Sequence, residues 1–286
     1  MAKLLVTGAN GQLGSEIKQL ADKYIDFKII YTDVDTLDIT EYNEIKSLIE
    51  KEHVDYIINC AAYTNVDRAE EDYENAVKIN VDAVSNLRRG SEEFGCKIIH
   101  VSTDYVFDSS PQNVPFKEDD KTFAESAYGS TKLRGELALQ QSDNYMIIRT
   151  SWLYSTFGHN FVKTMLRLGR ERAELGVIFD QVGTPTYAAD LALAILEIVS
   201  YFEKNGFKKG IYHYSNEGVC SWYDFATEIM RLANLNCKVK PIETKDYPLP
   251  AKRPAYSVMN KNKIKANFGL EIPHWMYSLQ KCMEKL

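Results

Sequence analysis

The chain has 286 residues, is 45% hydrophobic and carries a formal net charge of -6. That length can bury a sizeable core, in one large domain or two closely packed ones. The acidic balance argues against a general nucleic-acid binder, yet a few local cations could still hold an anionic substrate.

The first residues, Met1 to Gly8, have too short an apolar run for a signal peptide. No later stretch is apolar enough to span a membrane. A cytoplasmic enzyme without membrane or nucleic-acid partners is expected. The five cysteines, Cys60, Cys96, Cys220, Cys237 and Cys282, are widely spaced and form no C-x-x-C pair. They suggest small buried hydrophobes, not a disulfide framework or a zinc site.

Along the chain, Lys3–Thr7 is predicted as a buried strand and Leu13–Lys23 as a helix. Lys28–Thr32 is a second strand. A helix follows over Tyr42–Glu52, with Thr40 as its N-cap. Val54–Cys60 is a third strand, Glu74–Phe94 a long helix and Lys97–Ser102 a fourth strand. Ala127–Gln141 is another helix and Tyr145–Thr150 a fifth strand. These strands are apolar on both faces, as a parallel sheet covered by helices requires. The repeated βα units predict an α/β fold, a doubly wound (Rossmann) parallel sheet. After Thr150 the rhythm breaks. Helices are expected at Asn160–Arg172, Ala188–Tyr201 and Ser221–Leu232, a strand at Ile211–Ser215, and a proline-rich loop at Tyr247–Pro254. Residues 1–150 read as a nucleotide-binding domain, with a returning segment near 184–215. Residues 151–183 and 216–286 read as a smaller C-terminal substrate-binding lobe.

The first functional signal is Gly8-Ala9-Asn10-Gly11-Gln12-Leu13-Gly14, a G-x-x-G-x-x-G between the first strand and first helix. Glycines there permit a tight turn and let a pyrophosphate approach backbone N–H groups at the positive end of a helix. Asp33 ends the second strand about twenty residues on, where a carboxylate can accept from ribose hydroxyls and repel a 2′-phosphate. No cation follows it directly, which favours NADH over NADPH. Asp38 and Ile39 would lie beside the adenine. Ala61, Ala62 and Tyr63 follow the third strand, and the small residues let the chain pass close to a cofactor.

Tyr128 and Lys132 are spaced i and i+4, which puts them on one helix face. A tyrosine ordinarily titrates at about 10, and a nearby ammonium favours phenolate. Thr103, at the end of the fourth strand, can hold a carbonyl or alkoxide oxygen by its hydroxyl. Ser102 should point elsewhere by strand alternation. Together these imply reduction of a ketone by a nicotinamide cofactor. Tyr128 is the proton donor, Lys132 tunes it and Thr103 orients the oxygen. The chemistry needs no metal.

These stations resemble the extended short-chain dehydrogenase/reductases. Several segments narrow the resemblance to the dTDP-4-dehydrorhamnose reductase family. They are Leu37–Thr40, Asn59–Asp67 with Ala69-Glu70, Ser102–Asp108, Arg149–Tyr154, Asn160–Met165, Asp180–Thr186, Gly210–His213 with Ser221–Tyr223, and Arg253-Pro254. The resemblance spans nearly the whole chain in the family's order. It implies reduction of dTDP-4-dehydro-L-rhamnose to dTDP-L-rhamnose by a monomer or homodimer. It implies cofactor contacts at Gly11, Gln12, Leu13, Asp33, Asp38, Ile39, Ala62, Tyr63, Thr64, Val101, Tyr128 and Lys132, beside Gly8, Asn10 and Ala61 from the loops above. Sugar-nucleotide contacts fall on Thr103, Asp104, Tyr128 and Trp152, whose ring can pack on the apolar side of a deoxysugar.

Two departures stand out. Phe123–Ala127 replaces the Pro and Asn that family members often carry just before the tyrosine. A structural magnesium is doubtful. Glu16 matches one bridging carboxylate of some relatives, but the others find no clear match, and Glu16 reads as a surface residue of the first helix. Lys163, Arg167, Lys252 and Arg253 are candidates for the diphosphate by lobe position alone. The competing readings are another sugar-nucleotide epimerase or dehydratase, and a non-catalytic subunit on the same fold. A dehydratase would place an Asp-Glu pair after the threonine, where Asp104-Tyr105 stands.

Overall fold

A computed structural model describes residues 1–107 and 113–286. Asp108 of the fourth-strand segment lies outside the described residues. The first half follows the alternation written in the sequence: β1 (Ala2–Thr7), α1 (Gln12–Leu20), β2 (Phe27–Tyr31), α2 (Tyr42–Glu52) and β3 (Tyr56–Asn59). Then come α3 (Tyr73–Val77), α4 (Ala83–Phe94), β4 (Lys97–Thr103), α5 (Ala127–Leu139) and β5 (Tyr145–Thr150). The long helix expected over Glu74–Phe94 is interrupted, since Lys78–Asp82 forms a π turn between α3 and α4. Thr40 does not cap α2. The N-cap position is Glu41, and the Thr40 hydroxyl donates instead to Asp38 Oδ1 at 2.7 Å.

The second half holds β6 (Leu153–Tyr154), α6 (Phe161–Glu171), β7 (Glu174–Ile178), β8 (Val182–Gly183), β9 (Thr186–Tyr187), α7 (Ala188–Asn205) and β10 (Gly210–His213). It ends with β11 (Cys220–Ser221), α8 (Trp222–Leu232), β12 (Lys238–Ile242), α9 (Asn262–Phe268) and α10 (Trp275–Met283). The two-residue strands pair at the edges of loops, too short to show any period in sequence.

Six parallel strands form the central sheet in the order β10-β5-β4-β3-β1-β2. The chain leaves β1 on one side for β2 and returns on the other for β3. The strand order therefore reverses between β1 and β3, where a doubly wound sheet opens a crevice at its carboxyl edge. Alternation along β1 divides the core. Leu4 and Val6 pack on one face with Ile17, Ile195 and Val199, and Leu5 packs on the other with Ile45, Ile49, Val84 and Leu87. Fully burying one such side chain contributes about 1.5–3 kcal/mol. A separate aliphatic and aromatic core under the second lobe gathers Tyr154, Val162, Phe225, Ile229 and Trp275. All five cysteines are unpaired. Among the described residues, no helix is long and apolar enough to cross a membrane.

One charged pair sits inside this fold. Arg149 on β5 meets Glu136 on α5 through both carboxylate oxygens, with contacts of 2.7–3.2 Å, and their side chains are 2% and 0% exposed. Ser102 donates to the same carboxylate at 2.5 Å, and the guanidinium lies over the Phe107 ring at 5.0 Å. Removing one member leaves the other charged, buried and unpaired. Arg149→Met is expected to lower stability by about 3–5 kcal/mol, read as a fall in the midpoint of urea unfolding with an unchanged slope.

Candidate active site

The crevice is built first by β1 and the turn after it. Gly8 has φ +64°, and a Cβ there would lie 2.7 Å from the Ala61 backbone. Only glycine lets the ends of β1 and β3 come this close. The N-cap of α1 is Gly11, and no side chain caps it. The N–H groups of the first turn are thus available to an anion at the positive end of the helix. This cradle fits a dinucleotide pyrophosphate.

Asp33 sits at the mouth of the turn. Its carboxylate accepts from Asn10 N and Val34 N, at 2.8 and 2.9 Å. The Asn10 side chain accepts from Lys18 at 3.0 Å. Asp38 points its carboxylate at Thr40, and these hydrogen bonds hold it below the usual carboxylate range. Leu13 and Ile39 are buried in the two cores, so only their backbones can face a ligand. Gln12 accepts from Asn160 of the second lobe at 3.0 Å. Ala61, Ala62 and Tyr63 are half-buried after β3, and Thr64 is exposed. The Tyr63 hydroxyl donates to Asp72 at 2.9 Å.

The carboxyl end of β4 lies two strands over from β1. Thr103 is buried, accepts from Tyr105 N at 3.2 Å and donates to Asp104 Oδ1 at 3.1 Å. Ser102 turns instead to Glu136. Asp104 is buried as well, and burial raises its carboxyl to about 6. Among the described residues its Oδ2 forms no well-aligned hydrogen bond, and the Ser257 hydroxyl beside the carboxyl acts to lower it. A buried acceptor without a well-aligned donor is costly unless something else supplies one.

Helix α5 delivers the tyrosine and lysine. Ser126 caps it by accepting from Gly129 N at 3.0 Å, and Glu70 accepts from Ala127 N at 2.9 Å. Tyr128 is half-buried and packs edge-on against Tyr105, with ring centroids 5.4 Å apart. Burial pushes its phenol up to about 12, while the nearby Thr103 hydroxyl acts to lower it. Lys132 is 1% exposed, and burial brings its ammonium down to about 8. It donates to the Val101 carbonyl at 2.8 Å and not to Tyr128.

Trp152 has φ +48°, a left-handed backbone that a bulky residue rarely adopts. Such strain costs about 1–3 kcal/mol and persists only where surroundings enforce it. Here its ring stacks on Trp222 at 3.6 Å, which fixes the indole at the start of the second lobe. Glu16 departs from expectation: it is buried, accepts from Ser155 at 2.6 Å, and is raised by burial. The described residues show no cluster of metal-ligating side chains. The four candidate diphosphate cations all have partners. Lys163 donates to the Gly158 carbonyl and Arg167 pairs with Glu171. Lys252 pairs with Glu125, and Arg253 grips Asp67 through two bonds of 2.7 and 3.0 Å.

Sequence reasoning missed Asn59 and His100, both fully buried beside Lys132. A polar residue inside an otherwise apolar strand was the available signal. It named Arg253 as a diphosphate candidate but not its pairing with Asp67, since the two lie 186 positions apart and meet only in the fold.

The RmlD substrate binding domain family matches the chain over residues 2–286. A dTDP-4-dehydrorhamnose reductase of Aggregatibacter actinomycetemcomitans is 40% identical, over 98% of each chain. A crystal structure of a dTDP-4-dehydrorhamnose reductase from Clostridium acetobutylicum superposes with a TM-score of 0.93 at 43% identity, covering 99% of each chain. One from Bacillus anthracis, in complex with NADP, gives 0.93 at 36% identity and covers 100% of each chain.

The buried lysine has a measurable effect on stability. Its folded pKa of about 8 lies below its ordinary 10.5, so the unfolded chain binds more protons between those values. Below about 8 the burden of burying the ammonium is fully present, and it is relieved as pH rises towards 10.5. Relative to Lys132→Met, the protein should gain about 3 kcal/mol of stability across that window. Urea unfolding of both proteins from pH 7.5 to 10.5 checks this, and parallel pH curves would contradict it.

Proposed function

The chain belongs to the dTDP-4-dehydrorhamnose reductase family, and on that footing we propose that it reduces the 4-keto group of dTDP-4-dehydro-L-rhamnose to give dTDP-L-rhamnose. The observation that carries the reading is the meeting of Tyr128, Thr103 and the buried Asp104 carboxylate at the same sheet edge as the Gly8 turn. We assign residues 1–150 with 184–215 to cofactor binding, and 151–183 with 216–286 to the substrate.

The nicotinamide cofactor, when bound, supplies hydride to the ketone carbon. Gln12 and Leu13 in the first turn of α1 hold its pyrophosphate by backbone N–H groups, and the N-cap Gly11 lets it approach closely. Gly8 and Asn10 shape that turn. Asp33 accepts from the adenosine ribose, and Asp38 and Ile39 flank the adenine through backbone. Ala61, Ala62, Tyr63, Thr64 and Val101 border the path towards the nicotinamide. Thr103 steers the ketone oxygen, and Tyr128 gives it a proton as the alcohol forms. Lys132 restores the Tyr128 proton and holds the nicotinamide ribose. Asp104 Oδ2 accepts from a sugar hydroxyl, which would satisfy its lone pairs. Trp152, braced by Trp222, offers an apolar face to the deoxysugar.

The phenol of Tyr128 must remain protonated until needed, which its elevated pKa ensures at neutral pH. Tyr128→Phe should retain cofactor binding and lose at least about two orders of magnitude in turnover. The assay follows reduced-cofactor consumption with dTDP-4-dehydro-L-rhamnose, and near-normal turnover would remove Tyr128 from the proton step.

We favour NADH over NADPH, because the Asp33 carboxylate would repel a 2′-phosphate. Asp33→Ala should weaken NADH more than NADPH in fluorescence titrations. An unchanged preference would take Asp33 out of the ribose site.

A further inference from the structure

A line of side chains runs from the end of β1 to Lys132. Thr7 Oγ1 donates to Asn59 Oδ1 at 2.7 Å, and Ala61 N–H donates to the same oxygen at 3.1 Å. Asn59 Nδ2 lies 2.9 Å from His100 Nδ1, and His100 Nε2 lies 3.2 Å from Lys132 Nζ. Thr7, Asn59 and Lys132 are each 1% exposed and His100 is 0% exposed, so bulk water cannot correct a mismatched donor.

The direction of each bond follows from one fixed point. A backbone N–H can only donate, so Ala61 determines which end of the Asn59 amide is oxygen. The Asn59 NH₂ therefore faces His100 and donates to Nδ1. Burial holds His100 neutral, well below its ordinary pKa. A neutral imidazole that accepts at Nδ1 carries its proton on Nε2. That N–H is aimed at Lys132. An ammonium has three donors and no lone pair, so it cannot accept; a neutral amine can.

We propose that His100 selectively favours the neutral form of Lys132, whose amine accepts from His100 Nε2–H and donates to the Val101 carbonyl. The proposal deepens the assignment of Lys132 to the proton step and rests on it. Two other groups face this nitrogen, Glu136 and Cys60, and both act to raise it, less strongly than burial lowers it. Cys60, after β3, is held as a thiol by burial, pushed up to about 12. Glu136, one turn along α5, directs its carboxylate to Arg149 and Ser102. Burial outweighs the Glu136 carboxylate and brings Lys132 down to about 8, and a donor aimed at its lone pair acts in the same direction as burial. To serve as an ammonium, Lys132 takes one proton from solvent and gives up the bond from His100. His100 is thus a positioning residue that sets where the lysine releases and regains its proton.

The test is NMR on the full chain with no cofactor added, using ¹⁵N-labelled histidine and ¹³Cε-labelled lysine. His100→Gln assigns the imidazole signals, and its amide can still donate towards Lys132. The expected result is an Nε2–H tautomer for His100 and a Lys132 titration at or below about 8. His100→Phe should raise that titration by about one unit or more, while His100→Gln keeps it low. The lysine-dependent limb of the kcat profile should move in the same way. An Nδ1–H tautomer, or a Lys132 titration equal in all three proteins, overturns the proposal. If His100→Phe does not fold, the wild-type tautomer and the His100→Gln titration still decide. These readouts need no turnover, so they stay separate from failure of the reductase assignment.

Discussion

The contact between Gly8 and Ala61 is the constraint from which the site follows. With a side chain at position 8, the backbone after β3 would have to retreat, because a Cβ would fall 2.7 Å from it. Retreat would carry the Ala61 N–H away from Asn59 and release the amide that orients His100. The same turn leads into α1 without a side-chain cap, so its helix N–H groups are not already satisfied. One close approach thus shapes both the anion cradle and the polar line that ends on Lys132.

That line places unusual burdens on the core. Lys132, His100, Asn59, Arg149 and Glu136 are all buried under the carboxyl half of the sheet. A hydrophobic replacement of the Arg149–Glu136 pair could pack as well, since buried ion pairs seldom stabilise a fold more than apolar side chains do. The pair does something an apolar pair would not. Glu136 shares a helix face with Lys132, and without Arg149 its carboxylate would be an unpaired neighbour of the lysine. Arg149 and Ser102 occupy it. Burial then dominates both the phenol and the lysine, with the Glu136 charge still acting to raise the lysine. Burial disfavours the charged form of each, raising Tyr128 and lowering Lys132, and so widens the gap between their proton affinities and leaves the phenol holding its proton more tightly than the lysine.

The parallel sheet was legible because its signals are local and repeated. Strands buried on both faces read as apolar runs, and helices between them carry a 3.6-residue period. The helix over Tyr42–Glu52 falls where the pattern puts it. The π turn at Lys78–Asp82 did not show, because the flanking helices keep the pattern continuous. In the second half, β7 and β12 pair across a long separation, and Pro241 lies within β12. Proline in a strand argues against the strand unless it is at an edge, and this two-stranded pair is all edge. The site divides in the same way. Glycine spacing and the Tyr-Lys interval are written in short stretches, whereas the direction of Lys132 depends on His100 from another strand. Glu16 looked like a surface residue because nothing near it in sequence announces Ser155, which lies 139 positions away.

The two lobes are joined by polar contacts that border the crevice. Asn160 donates to Gln12 at the cofactor turn, Ser155 donates to Glu16 one turn further along α1, and Arg253 grips Asp67 beyond β3. These contacts differ in what a ligand would do to them. The Glu16–Ser155 bond is buried and has no access to an incoming anion. The Arg253–Asp67 pair is partly exposed, at 20% and 33%, so a diphosphate could compete with the carboxylate for the guanidinium. Exposed pairs are worth little on average, and exchanging one anionic partner for another changes the charge balance hardly at all. The deep contact can therefore keep the lobes in register while the shallow one yields to substrate. That division reconciles a rigid proton line at the sheet edge with a cleft that must admit and release a nucleotide sugar.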